Sequence, residues 1–176
     1  KHILKFQILL YFIFIGSSSI EAQSLEPIKI TDKWKAKIEQ IAPTETTVKV
    51  SVKRKILVFS RATGFDHWTI PHNIEMLKIL AKKTNAFEVQ IGFDIENFDK
   101  NNLKKYDAII LNNSNPNGPK RDLFYDLLKN YTSYTEEQVI EKAAVYEANL
   151  IDYVNKGGGL MILHGAIVVQ NNSKAF

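Results

Sequence analysis

The sequence predicts an α/β fold, a parallel sheet with helices on both faces. Short apolar runs without alternation recur along the chain, as expected for strands that are buried on both faces. Segments with apolar residues at helical spacing lie between them, bounded by glycine, proline or capping residues. The chain has 176 residues, 45% hydrophobic and 24% charged, which is typical of one globular domain.

Four apolar runs are predicted to be strands. The first lies behind a charged entry and fits a central strand, whereas the second alternates apolar and polar residues and fits a strand nearer the sheet edge. The predicted strands lie within Lys53–Ser60, Phe87–Ile91, Ala108–Leu111 and Leu160–Leu163. Parallel strands joined by right-handed crossovers leave their loops at one edge, so the loops after the first, third and fourth strands are expected to converge.

Helices are predicted from apolar periodicity and end signals. Pro71 falls in the first turn of a helix over 70–81, where a missing N–H costs nothing. Shorter helices are expected at 32–41 and 123–128. A long helix follows Thr135, and its expected inner face comprises Val139, Ala143, Tyr146, Leu150 and Val154.

Two signals bound that long helix. Thr135 with Gln138 three residues later has the form of a capping box at its start. The glycines at 157–159 are expected to end it, because glycine readily takes the left-handed cap conformation. They precede a strand rather than follow one, which argues against a phosphate-binding loop.

The N-terminus has the form of a secretory signal. A basic start, the apolar run Ile8–Ile15 and small residues before Ala22 predict a signal peptide over residues 1–22, although a buried strand or an uncleaved anchor is the alternative. The run is about half the ~20 residues of a membrane span, so no stable membrane insertion is expected after cleavage. The mature protein would be secreted or periplasmic, with a lead-in over 23–52 and an α/β domain over 53–176 that is incomplete at its C-terminus.

Composition excludes several classes of function. The formal net charge is +4, mostly from scattered lysines, which does not fit a nucleic-acid groove. The absence of cysteine excludes disulfides, thiolate metal sites, a cysteine nucleophile and a lipid-modified N-terminal cysteine. One amphipathic pattern does not separate a core from a subunit interface, so the oligomeric state is left open.

Polar residues at the ends of the predicted strands are the candidate site. His164 directly follows the fourth strand, where an imidazole could act as acid, base or metal ligand, or could only shape the turn. Asp66 could set the charge or tautomer of its neighbour His67. The candidates for contact with substrate are Ser60, Trp68, Asn112 and Asn113.

Two of these predictions have open alternatives. Trp68 could be a platform for a sugar or a plug at the base of the sheet. His67 and His164 with a carboxylate could hold a divalent metal such as zinc, but no local ligand spacing supports this. His72, in the first turn of a predicted helix, is expected to be a surface residue.

Three segments resemble the trehalose-utilisation (ThuA-like) family. They are Ile56–Ile70, Tyr106–Asn112 and Tyr153–Ala166, in the family's order. Gly64 to His67 is similar to the family's Gly-Phe-x-His, and Gly157 to His164 to its Gly-Gly-Gly segment ending in a histidine. The resemblance implies a flavodoxin-like sheet of the class I glutamine amidotransferase type.

The resemblance also implies a role in carbohydrate catabolism. The substrate would be a small-molecule glycoside, trehalose or a relative, including 3-keto derivatives. His164 would be the general acid or base, and His67, oriented by Asp66, its partner or a metal ligand. Because no cysteine is present, glutamine hydrolysis by thiol attack is excluded. A non-catalytic carbohydrate-binding module, or a degenerate scaffold, is the alternative.

Overall fold

The computed structural model describes residues 27–131 and 133–176. The predicted signal peptide at 1–22 lies outside these residues. The described elements, in chain order, are helix α1 (Asp32–Ile41), strand β1 (Arg54–Phe59), helix α2 (Ile70–Thr84), strand β2 (Phe87–Gly92), a 3₁₀ helix (Ile95–Phe98), helix α3 (Lys100–Leu103), strand β3 (Ala108–Asn112), helix α4 (Leu123–Leu128), helix α5 (Glu136–Asn155), strand β4 (Gly159–Leu163) and a second 3₁₀ helix (His164–Val168).

The four strands form one parallel sheet in the order β2-β1-β3-β4. This confirms the predicted α/β class, and it places the alternating strand β2 at an edge of the sheet. The chain steps from β1 to β2 on one side and then returns to β3 on the other. The carboxyl ends of β1 and β3 therefore flank a topological switch point, where a crevice for ligands forms in open α/β sheets.

Apolar side chains on the two faces of the sheet belong to two clusters. On one face Leu57, Ile109 and Leu111 pack with residues of α3, α4 and α5. On the other face Val58 and Ile110 pack with Leu77 of α2. The strands in the middle of the sheet are therefore covered on both sides, which explains their continuous apolar sequence.

Helix α5 confirms both of its predicted end signals. The Thr135 side chain accepts from the Gln138 backbone N–H while the Gln138 side chain accepts from the Thr135 backbone, a complete capping box. At the other end Gly157 has φ +94°. A Cβ on Gly158 would lie 2.3 Å from the Tyr153 ring, so a side chain there would displace the ring.

The predicted inner face of α5 was wrong at one residue, Val154. Val139, Ala143 and Leu150 are buried, and Tyr146 packs against the same cluster. Val154 is 38% exposed. It lies in the last turn of the helix, where it borders an open pocket with Leu160 of β4 and Phe176.

The connection from β2 to β3 contains two short helices that were not predicted. The 3₁₀ helix and α3 cross between these strands within a dozen residues. Phe98 is fully buried there, and its ring lies edge to face with Phe59 and Phe124. The segment has too few residues to show a helical period, so Phe98 was the only feature of its sequence that indicated a buried position.

Helix α1 matches its predicted bounds and packs on α2. The Lys83 ammonium donates to the carbonyls of Glu39 and Ala42, the latter at 2.6 Å, and so satisfies the C-terminal end of α1. Trp34 lies edge to face with His72 at 5.1 Å. Across the described residues no helix is both long and apolar enough to cross a membrane.

Candidate functional site

The loops after β1 and β3 are joined by backbone hydrogen bonds. The backbone N–H groups of Thr63 and Gly64 both donate to the Asn115 carbonyl, at 3.1 and 3.0 Å. The Ser114 hydroxyl, fully buried, donates to the Phe59 carbonyl at 3.0 Å. These bonds make the two loops one structural unit at the carboxyl edge of the sheet.

His67 and His164 meet above this edge. Their rings lie edge to face, with centroids 4.6 Å apart and planes at 87°. His67 follows β1 and His164 follows β4, so β3 lies between the strands that carry them. The two side chains therefore lean toward each other over the end of β3. His164 is exposed and His67 is half-buried.

Asn113 orients the His164 ring. The Asn113 Oδ1 atom accepts from the Gly165 backbone N–H at 3.1 Å, which identifies it as the amide oxygen, and it lies 2.8 Å from His164 Nδ1. Nδ1 must then carry the proton, because an amide oxygen cannot donate. In the neutral ring Nε2 is left with a free lone pair, so it can accept a proton or bind a metal.

The backbone at this contact is unusual. Asn113 has φ +56° and His164 has φ +48°, in the left-handed region that non-glycine residues seldom adopt. Asparagine and histidine adopt this region more often than most non-glycine residues, but the conformation still costs about 1 kcal/mol or more. The fold thus holds His164 at an angle that turns its ring toward Asn113.

His67 is held close to the backbone of Gly165. A Cβ built on Gly165 would lie 3.1 Å from His67 Nε2, so glycine allows this approach. The pKa of His67 is lowered, first by burial and then by the charge of His164, against the opposing charge of Asp66. His67 therefore stays neutral to a lower pH than an ordinary histidine.

Asp66 is exposed, and no hydrogen bond joins it to His67 among the residues that the structure describes. Its influence on the pair is its charge, which raises the pKa of His67. The His67 ring packs instead against the rings of Phe65 and His164.

Ser60 and Asn112 lie beneath the histidine pair, in the buried part of the edge. Asn112 is fully buried; its amide nitrogen donates to Ser60 Oγ and to the Ile70 carbonyl, both at 3.1 Å, and its oxygen accepts from Asn73 at 2.8 Å. These bonds tie the first turn of α2 to the ends of β1 and β3. Asn113, by contrast, faces the histidine pair.

Trp68 points into an aromatic cluster with α1 and α2. Its ring lies 5.2 Å from that of His72, which contacts Trp34 on another side. His72 Nδ1 lies 3.1 Å from the Trp68 carbonyl and so donates to it, and its buried Nε2 has no hydrogen-bond partner within 27–131 and 133–176. His72 was expected to be a surface residue, but it is half-buried, because Trp34 of α1 packs against its ring.

Asp126 fixes the far end of the loop after β3. Its fully buried carboxylate accepts from the Thr63 hydroxyl at 3.0 Å, from the backbone N–H groups of Asn117 and Gly118 at 2.9 and 2.8 Å, and from Lys129 at 3.1 Å. Burial acts to raise the pKa of Asp126, but these hydrogen bonds and the lysine outweigh it and lower the pKa.

Sequence reasoning missed several residues that build the site. The run of polar residues after β3 was noted, but nothing in its order showed that Asn113 would orient His164 or that Asn115 would bridge two loops. The one available signal was Gly165, the small residue after His164, which allows the His67 ring to approach the backbone closely. Asp126 carried no signal, since it lies in a short helix far along the chain.

The donor set for a metal contains two imidazoles. In the described ranges, 27–131 and 133–176, no group of three or more His, Asp or Glu side chains is placed to hold a metal ion. Catalytic zinc usually has three protein ligands. A metal at His67 and His164 would therefore take its remaining ligands from water or substrate.

Comparison with protein-family models matches residues 55–176 to the family described as ThuA, trehalose utilisation. The chain belongs to the ThuA family. The match covers the histidine pair and all four strands except the first residue of β1, which confirms the resemblance seen in the sequence. The parallel sheet is consistent with the family's class I glutamine amidotransferase-like fold. Helix α1 precedes the matched residues. Searches among curated proteins and among solved structures gave no significant match.

Proposed function

We propose that this ThuA-family chain is an exported protein that breaks down trehalose or a related glycoside, including 3-keto derivatives, by acid–base chemistry at His67 and His164. The observation that carries the proposal is the contact of these two rings at the carboxyl edge of the sheet. Each imidazole can accept or donate a proton near neutral pH, and neighbouring groups adjust which one does so.

His164 is the base of the proposed reaction. Asn113 holds the proton on Nδ1, so Nε2 presents its lone pair. With a 3-keto glycoside, Nε2 would take the proton from the carbon beside the ketone, and the C–H electron pair would form an enolate. The enolate could then re-form the ketone while a double bond forms between the deprotonated carbon and the neighbouring anomeric carbon, whose bond to the glycosidic oxygen breaks. That oxygen leaves with a proton from the histidine pair.

His67 is the partner in this scheme. Its lowered pKa favours the neutral ring, and the nearby charge of a protonated His164 reinforces that preference. Once His164 has gained the substrate proton, His67 remains neutral and does not compete for it. The proton therefore stays on His164, from which it can pass to the leaving glycosidic oxygen.

Metal-assisted chemistry is the second form of the proposal. Zinc held by His67 and His164 would polarise the substrate carbonyl. The free Nε2 of His164 suits a metal, and His67 lies beside it. The same two residues serve both forms, so substitution alone does not separate them; elemental analysis of the protein does.

The test compares His164→Ala and His67→Ala with the wild type for turnover of trehalose and of its 3-keto derivative. His72→Gln is the matched control, since His72 is a histidine outside the pair. Loss of a general acid or base should lower the rate by about 10²- to 10⁴-fold, while the control stays near the wild type.

Wild-type rates in both alanine variants would overturn the proposed chemistry. Glycoside binding without turnover in the wild type would establish the carbohydrate-binding module instead. One metal per chain, lost in both variants, would select the metal-assisted form.

A further inference from the structure

An exposed aromatic ring lies next to the histidine pair. Phe65 is 68% exposed, and its ring meets that of His67 edge to face with centroids 4.7 Å apart and planes at 69°. His67 meets His164 in the same manner. The three rings form one chain of contacts, which brings an apolar surface directly beside two polar imidazoles.

The backbone of Phe65 is fixed from both sides. In the orientation that satisfies its donors and acceptor, the Asn115 amide accepts from the Phe65 N–H at 3.2 Å and donates to the Phe65 carbonyl at 3.1 Å. It also donates to the Asn113 carbonyl at 3.1 Å. Because both backbone groups of Phe65 are bound, its ring is presented to solvent from an ordered position.

We infer that Phe65 is a stacking platform for the apolar face of a pyranose ring, and that it forms a sugar-binding subsite beside the histidine pair. One face of a pyranose is covered by C–H bonds, and an aromatic ring without a hydroxyl offers a matching apolar surface with a negative face. Ligand sites in general combine such aromatic walls with a few polar groups that fix orientation. This inference rests on the proposed function, because it names how the glycoside is held there.

The other aromatic residue of this loop, Trp68, packs against other side chains of the fold. The Trp68 ring contacts His72, and the next contact in that cluster is Trp34 of α1. A sugar would have to displace part of this packing to stack on Trp68, whereas Phe65 is open. The sequence left Trp68 open as a sugar platform or as a plug at the base of the sheet, and the two residues can be tested against each other.

Phe93 supplies a matched control. It follows β2 at the same edge of the sheet and is 50% exposed. No aromatic contact joins it to the histidine pair among the described residues. Its loss removes exposed apolar surface of the same kind, without touching the proposed subsite.

The experiment measures the affinity of the full chain for trehalose and its 3-keto derivative by titration calorimetry and by saturation-transfer NMR. Wild type and His164→Ala are measured alone, and Phe65→Ala, Phe65→Tyr, Trp68→Ala and Phe93→Ala are each measured in the His164→Ala background, where turnover does not interfere. Phe65→Ala should weaken binding about tenfold or more, as loss of one stacked ring does elsewhere. Phe65→Tyr and Phe93→Ala should stay within about twofold of the parent.

The outcomes separate the inference from the proposed function. Three results would overturn the stacking role of Phe65 and leave the proposed chemistry intact. They are unchanged affinity in Phe65→Ala, an equal loss of affinity in Phe93→Ala, or a loss of affinity only in Trp68→Ala. Full turnover in His164→Ala, with affinity still lost in Phe65→Ala, overturns the chemistry and supports the platform. No glycoside binding by the wild type overturns both.

Discussion

Asn113 Oδ1 lies 2.8 Å from Nδ1 of His164 and also accepts the Gly165 backbone N–H. One side-chain oxygen thus fixes the tautomer of His164 and the backbone that follows it. The arrangement parallels the way buried acceptors orient catalytic and metal-binding histidines in other proteins, where loss of the acceptor costs about 10- to 100-fold in activity.

Removing the Asn113 side chain should impair both chemistry and stability, because the side chain is fully buried and accepts the Gly165 N–H. Because Asn113 has φ +56°, glycine is the substitution that keeps the backbone relaxed. Asn113→Gly should lower glycoside turnover about tenfold or more, and the loss of a buried acceptor should lower the free energy of unfolding by about 1–3 kcal/mol. Asn113→Asp keeps the acceptor and should recover part of the rate. Equal rates in wild type and Asn113→Gly would show that the hydrogen bond does not orient a catalytic group.

The titration of His67 should report its neighbours. His164→Ala removes a positive charge and should raise the pKa of His67, whereas Asp66→Asn removes a negative charge and should lower it further. NMR titration of the imidazole protons measures both changes. A His67 pKa that moves in the same direction in the two variants would contradict the charges assigned to the site.

The same shift makes stability depend on pH. Since the pKa of His67 is lower in the folded chain than its ordinary value of 6.5, the unfolded chain takes up that proton first as the pH falls. The stabilisation by neutral His67 is complete above about pH 6.5 and is lost as the pH falls from there to the folded pKa. Urea unfolding of wild type and His67→Asn at pH 5 and pH 7.5 should show this difference, and parallel curves for the two proteins would refute it.

A methyl group on Gly165 should act through His67. Gly165→Ala places a Cβ 3.1 Å from His67 Nε2, so the ring must shift by a few tenths of an ångström. Turnover should fall several-fold while the free energy of unfolding changes by less than about 1 kcal/mol, as for most substitutions at a partly exposed position. In a His67→Ala background the same change should have no further effect on rate. An equal loss of rate in both backgrounds would place the effect elsewhere.

Asp126 should matter for the loop that supports the site. Asp126→Asn removes the charge from a buried carboxylate that accepts hydrogen bonds from four donors. A hydrogen bond to a charged group contributes about 1.5–3 kcal/mol to stability. We expect a loss of about 2 kcal/mol in the free energy of unfolding at pH 7. Because the pKa of Asp126 is lowered, this contribution is present above its ordinary value of 3.8 and is lost as the pH falls through the folded pKa.

The comparison for Asp126→Asn is Asp152→Asn, which removes an exposed carboxylate paired with Lys156. Exposed pairs of this kind contribute little, so its stability at pH 7 should stay near the wild type. Similar losses in the two variants would show that the buried network adds nothing specific.

Helix α1 should detach when its C-terminal contact is removed. Lys83→Met deletes the ammonium that bonds the Glu39 and Ala42 carbonyls, whereas the exposed neighbour Lys82 has no described contact with α1. Proteolysis between α1 and β1 should become several times faster in Lys83→Met and remain unchanged in Lys82→Met. Equal rates in the two variants would mean that the other contacts of α1 with α2, those of Trp34 and Lys35, hold the helix without Lys83.

The sheet could be predicted because its signals are local. Each strand carries an apolar run of its own, and α5 carries both its capping box and its terminal glycines. Phe98 and the short helices between β2 and β3 could not be predicted, because a few residues show no period and their position depends on distant aromatic partners.

The site divides in the same way. That His67 and His164 lie at strand ends could be predicted from the runs before them. The left-handed backbone of His164, the bridging amide of Asn115 and the buried Asp126 depend on contacts between loops that are far apart in sequence. Local propensity carries no information about such contacts, and a lone aspartate in a short helix resembles any surface aspartate.

The contact between His67 and His164 joins residues about a hundred positions apart in the chain, across an intervening strand. Contacts of such long range form late, because the entropy of closing the loop must be offset by packing that is already in place. The two rings can meet only after β4 has joined the sheet. Activity would thus be the last property to appear during refolding, and its recovery would measure completion of the sheet more directly than the return of helical signal.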